Sequence, residues 1–80
     1  MAERELVLVT SEGCHFCEHA HEVLSGIGVS PREIGVESDE ALRLAEAGVP
    51  LAFLPVLWDG ERVIAYGRFS EKRLRRELVL

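Results

Sequence analysis

Eighty residues, 48% of them hydrophobic and 29% charged, make a single small domain spanning 1–80 and exclude wholesale disorder, collagen and coiled coil. Two cysteines allow one bridge at most, so a disulfide-stapled scaffold is excluded and the core must hold the fold. Nine Lys and Arg against fourteen Asp and Glu leave a net charge of −5, a poor basis for binding nucleic acid or an anionic membrane.

The first element is Leu6-Val7-Leu8-Val9, an unbroken aliphatic run that predicts a central strand covered on both faces. Thr10 to Gly13 break it. From Cys14 onward, Cys17, Ala20, Val23, Leu24 and Ile27 recur at three- and four-residue intervals, which predicts a helix ended by Gly26 and Gly28. Pro31 to Val36 is shorter and more polar, as suits a strand at a sheet edge.

Ser38 is a good N-cap, and Asp39 and Glu40 favour the positive end of a second helix that runs to Gly48. Pro55 to Trp58, then Asp59-Gly60, then Arg62 to Tyr66 read as a hairpin closed by a tight two-residue turn. Gly67 breaks its second strand. Ser70 caps a last helix, with Leu74, Leu78 and Val79 turned inward. Lys72, Arg73, Arg75 and Arg76 form the only basic cluster, read as the solvated face of that helix.

The order is βαβαββα, an α/β domain with one mixed sheet and helices on both faces. Its longest near-apolar stretch, Val49 to Trp58, has ten residues and two prolines, against the roughly 20 that a membrane span needs. Glu3 and Glu5 stand where a secretory leader would be basic. A cytoplasmic, monomeric protein that binds neither membrane nor nucleic acid is expected. In that compartment cysteines stay reduced unless they have redox or metal work.

The chemistry concentrates in Gly13-Cys14-His15-Phe16-Cys17, a C-x-x-C at a strand-to-helix junction inside a βαβ pattern. Thiolates attack disulfides and thiols hardly do. A cysteine of unperturbed pKa near 8.5 is only about 3% ionised at pH 7. At a helix start, Cys14 meets free N–H groups and the positive end of the dipole. Cys17, one turn on, is placed to displace whatever Cys14 captures and is expected to be the less exposed. Glu12 and Glu18 oppose an anionic sulfur, each by under about 1 kcal/mol if exposed. His15 reads as a solvent-facing motif residue.

Two other readings of the pair stay open. One is a copper or zinc carrier, with His21 and His19 near the pair on the same helix, although no second cysteine pair completes a tetrahedral set. The other is an iron–sulfur carrier in which two chains share a cluster through Cys14.

Cys14-His15-Phe16-Cys17 after the strand, Leu54-Pro55-Val56 opening the hairpin, and Tyr66-Gly67 before the last helix together resemble the glutaredoxin-like members of the thioredoxin-fold superfamily. The likeness extends over nearly the whole chain and is strongest to short bacterial members. It implies a four-stranded sheet in the order 2-1-3-4, a nucleophilic Cys14, a resolving Cys17, and a cis Leu54–Pro55 bond beside the pair. It also implies thiol–disulfide exchange on protein disulfides or mixed disulfides, with His15, Phe16, Leu54, Pro55 and Gly67 contacting substrate. The backbone of Leu54 would then pair with an extended substrate chain. No cofactor or metal is implied, and glutathione is a candidate co-substrate.

The chain departs from that pattern in three places. Ser11 and Glu12 stand where glutaredoxins carry a lysine, and Leu54 where a threonine or valine precedes the cis proline. Gly67 is followed by Arg68 rather than by a second glycine. Arg43 and Arg68 are the cations available for glutathione's carboxylates, and both read first as surface charges.

Overall fold

The computed structural model describes residues 5–79. Their order is β1 (Val7–Thr10), α1 (His15–Gly26), β2 (Arg32–Gly35), α2 (Asp39–Glu46), β3 (Val56–Trp58), β4 (Val63–Tyr66) and α3 (Glu71–Glu77). The sheet order is β2-β1-β3-β4, parallel between β1 and β2 and antiparallel elsewhere. This is the expected α/β, thioredoxin-like architecture. No helix among the described residues is long and apolar enough to cross a membrane.

The aliphatic run became the central strand because both of its faces are covered. Leu8 packs with Ala20 and Leu24 of α1, Leu57 and Ile64 of the hairpin, and Leu74 of α3. Val9, its neighbour, points the other way and packs with Ala41 of α2, Val49 and Val56. Leu8, Val9, Leu57 and Leu74 are all fully buried. β1 is set one residue later than the apolar run, since Thr10 still pairs with Gly35 and its hydroxyl donates to Glu33 at 2.7 Å. Likewise β2 is shorter than the Pro31–Val36 segment, and three of its four residues are exposed, as expected at an edge.

Ser38 caps α2 by accepting the Ala41 N–H at 3.1 Å, and Ser70 caps α3 by accepting the Arg73 N–H at 3.4 Å. Gly28 and Gly48 follow α1 and α2 with φ of +77° and +98°, a region that glycine enters without a Cβ penalty.

Two expectations are corrected. The hairpin does not turn on Asp59-Gly60. Asp59 flanks the turn: its N–H donates to the Arg62 carbonyl, and its carboxylate accepts the N–H groups of Glu61 and Arg62 at 2.8 Å. A side-chain acceptor has replaced the backbone one, which moves the turn to Gly60-Glu61. Val79, placed inward by helix periodicity, is 88% exposed because α3 ends at Glu77 and Val79 leaves it with φ +57°.

Beside the core, Arg32 of β2 donates to Glu5 and to both carboxylate oxygens of Glu40 on α2. That hydrogen bonding holds the Glu40 carboxyl below the usual carboxylate range.

Leu8→Ala should cost roughly 2–5 kcal/mol by denaturant unfolding, since it empties a site closed on all sides. Leu42→Ala, at a side chain 58% exposed, should stay within about 0.5 kcal/mol; equal losses would contradict the packing described. Arg32→Gln should raise the Glu40 midpoint in an NMR titration. A depressed folded-state value contributes stability above the ordinary carboxylate pKa and loses it as pH falls through the folded value. The variant should therefore lose part of the acid-side dependence, and an unmoved Glu40 midpoint would refute the pairing.

Candidate active site

Cys14 is the N-cap of α1, in extended conformation with φ −97° and ψ 107°. Gly13 before it has φ +69°, which lets the chain swing from β1 into the helix without a Cβ penalty. N-caps are usually oxygen-bearing residues that accept a first-turn N–H. Here sulfur does so: the Cys17 N–H donates to Cys14 Sγ at 3.1 Å. The Cys14 carbonyl also accepts from Cys17 and Glu18, at 3.1 and 3.2 Å.

Cys14 and Cys17 form a disulfide with their Cα atoms 5.2 Å apart. The two sulfurs are unequal in access. Cys17 is 3% exposed, on the stripe that also buries Ala20 and Leu24, whereas Cys14 is half-buried at the rim. His15 and Phe16 are exposed in the first helical turn, as are Glu12 and Glu18.

The other expected residues arrive at the same end of the sheet through strand register. Val9 pairs with Val56, and Val56 with Tyr66. The end of β1, the start of β3 and the end of β4 therefore lie side by side. The Leu54–Pro55 bond is cis, Pro55 is buried and Leu54 half-buried. Gly67, with φ +73°, donates its N–H to the carbonyls of both Phe53 and Pro55 at 2.9 Å, tying the segment before β3 to the end of β4.

Phe53 and Tyr66 form a pair that local sequence pattern does not reveal. Their rings lie 5.9 Å apart at 51°, and both are more than half exposed. Each stands next to a residue that was singled out, Leu54 and Gly67, but only the β3–β4 register brings the rings together.

The histidines engage elsewhere. His19 Nε2 lies 3.2 Å from the Phe69 carbonyl, and His21 Nε2 lies 2.8 Å from Glu33 on β2. Among the described residues no group of three or more His, Cys, Asp or Glu is arranged to hold a metal ion.

Comparison with known proteins fits this geometry. The family model for glutaredoxin matches residues 6–63, which include the cysteine pair, Pro55 and the hairpin turn. A structural-genomics target protein from X. campestris superposes with a TM-score of 0.68 at 29% identity, covering 92% of this chain and 95% of that one. A glutaredoxin from Archaeoglobus fulgidus superposes with a TM-score of 0.65 at 20% identity, covering 94% and 86%, and so shares the fold. Among curated proteins there is no match. Family membership and the Cys14–Cys17 pair together support thiol oxidoreduction as its chemistry. The chain belongs to the glutaredoxin family.

Proposed function

We propose that the protein is a dithiol–disulfide oxidoreductase that reduces protein disulfides or mixed disulfides, with Cys14 as nucleophile and Cys17 as resolving thiol. The observation that carries this reading is the Cys17 N–H donated to the more exposed of two neighbouring sulfurs. An N–H aimed at sulfur favours the anion over the neutral thiol, and the helix start adds its positive field.

The Cys14 thiolate attacks one sulfur of the substrate disulfide. That bond breaks, and the expelled thiolate takes up a proton. Cys17 then loses its proton and attacks Cys14 Sγ, which releases the second substrate thiol. The substrate gains two electrons and two protons, and the protein dithiol becomes the Cys14–Cys17 disulfide. Two thiol equivalents restore the dithiol, with glutathione the candidate donor. No cofactor is needed for either displacement.

His15 and Phe16 flank the nucleophile from the helix side. Leu54, cis Pro55 and Gly67 flank it from the strand side, where the Leu54 backbone pairs with an extended substrate segment. A cytoplasmic monomer fits this reading, since a reducing compartment keeps the dithiol charged with electrons.

Cys14→Ser should abolish turnover of a mixed-disulfide substrate, by more than a hundredfold. Cys17→Ser should keep the first attack and accumulate a covalent adduct at Cys14, visible by mass spectrometry. Retained exchange in Cys14→Ser would overturn the assignment. In Cys17→Ser, iodoacetamide alkylation of Cys14 should titrate below the value of about 8.5 for a free cysteine. A midpoint at or above it would remove the basis for Cys14 as an activated nucleophile.

A further inference from the structure

Charge is unevenly spread over this fold. Residues 68–77 hold Arg68, Lys72, Arg73, Arg75 and Arg76, five of the nine cations in the chain, against Glu71 and Glu77. The segment is thus +3 in a chain of net −5, which leaves −8 on the remainder. Arg75 pairs with Glu71, and Glu77 is taken by Arg62. Arg68 and Arg73 make no ion pair or side-chain hydrogen bond among the described residues.

These two arginines line a cavity of about 170 Å³ together with Tyr66, Ser70 and Leu74. The cavity lies along β4, which among the described residues pairs with β3 alone and so leaves one row of backbone groups facing outward. Its site-facing limit is Tyr66, whose ring lies tilted against that of Phe53. Two strand spacings, about 10 Å, separate the end of β4 from the end of β1, which leads to Cys14. On the opposite flank, the crevice beyond β1 and β2 is lined by Ser11, Glu12 and Glu33, where an anion is repelled.

We propose that the Arg68–Arg73 groove holds acidic side chains of an extended segment of the disulfide-bearing substrate protein, three or four residues from the cysteine that Cys14 attacks. The spacing follows from reach: an extended chain advances about 3.3 Å per residue, so three residues span the two strand spacings between the end of β1, which leads to Cys14, and the end of β4, which leads to Arg68. Two guanidinium groups that make no ion pair among the described residues suit carboxylates. Glu12 and Glu33 on the other side give the bound segment one direction. The proposal rests on the dithiol reading above and names the substrate class that reading leaves open.

The test uses three nine-residue peptides with one central cysteine held as a 2-thiopyridyl disulfide. Glu, Ser or Lys occupies the third and fourth positions on either side. Thiopyridone release by the reduced protein should be at least tenfold faster for the Glu peptide than for the Lys peptide in 20 mM salt, and the difference should collapse in 0.5 M salt. Arg68→Ser/Arg73→Ser should lose that discrimination, Arg68→Glu/Arg73→Glu should invert it, and Arg43→Ser, one charge removed from α2, should keep it.

Equal rates for the three peptides with the wild type would overturn the docking proposal while leaving the dithiol reading standing. Discrimination that survives in Arg68→Ser/Arg73→Ser would also overturn it. Concentration-dependent dimerisation that the same double substitution abolishes would overturn it too, by giving the groove to the acidic remainder of a second copy. No release from any peptide would instead strike at the dithiol reading itself.

Discussion

Burying alternate residues of β1 on opposite faces is the constraint from which the rest of this structure follows. Leu8 faces α1 and α3, and Val9 faces α2, so the two clusters sit on opposite faces of the sheet with β1 at its centre. A side chain of this size contributes roughly 1.5–3 kcal/mol on burial. A small domain holds only a handful of such residues. The strand therefore cannot slip by one residue without exchanging both sets at once. Its register fixes where Gly13 and Cys14 emerge. Through Val56 and Tyr66, the same register fixes where Pro55 and Gly67 lie beside them. Core and site are in this sense one arrangement, and the site's geometry is inherited from packing two layers away.

Against that fixed frame, the electrostatics at Cys14 are a contest of small terms. One N–H donated to sulfur and the positive field of a helix start favour the thiolate, and the helix term alone is worth about 0.3–1 kcal/mol at an exposed site. Glu12 and Glu18 oppose it, but both are exposed and act through water, where such interactions stay below about 1 kcal/mol. The bonded amide acts at 3.1 Å with no ordering left to do, because Cys17 is already held by the core. Directed, preorganised polarity should outweigh screened charge, so burying Cys17 matters to the sulfur of Cys14 as well as to itself.

Much of this was legible in the sequence because it rests on local rules. An unbroken aliphatic run, a three- and four-residue apolar period after Cys14, and serines ahead of two acidic helix starts each name an element without knowledge of its neighbours. The cysteine pair is legible for the same reason, since its spacing and its place at a helix start are both local. The cis bond at Leu54–Pro55 came from likeness to a family, because nothing local distinguishes that proline. What stayed hidden depends on choices between competing partners or on register. Asp59 shifted the hairpin turn because its carboxylate took N–H groups that a two-residue Asp-Gly turn would give to a carbonyl. The Phe53–Tyr66 ring pair joins residues thirteen apart in the chain.

The basic segment shows how the same residues change meaning once the fold is known. In the sequence, Lys72, Arg73, Arg75 and Arg76 are a helix face, and a helix face with cations late in the helix is what the dipole favours. The structure divides them. Arg75 is neutralised by Glu71 one turn away, so its charge is spent within the helix. Arg73 is joined instead by Arg68 from the preceding loop, at the edge of a cavity beside the open strand. Among the described residues neither Arg68 nor Arg73 makes an ion pair, whereas Arg32 at the other edge of the sheet meets two glutamates. Pairing these two arginines with carboxylates would change stability little, because exposed pairs contribute little either way. Such charge acts instead at long range, where it governs the rate and direction of encounter more than the depth of the folded state.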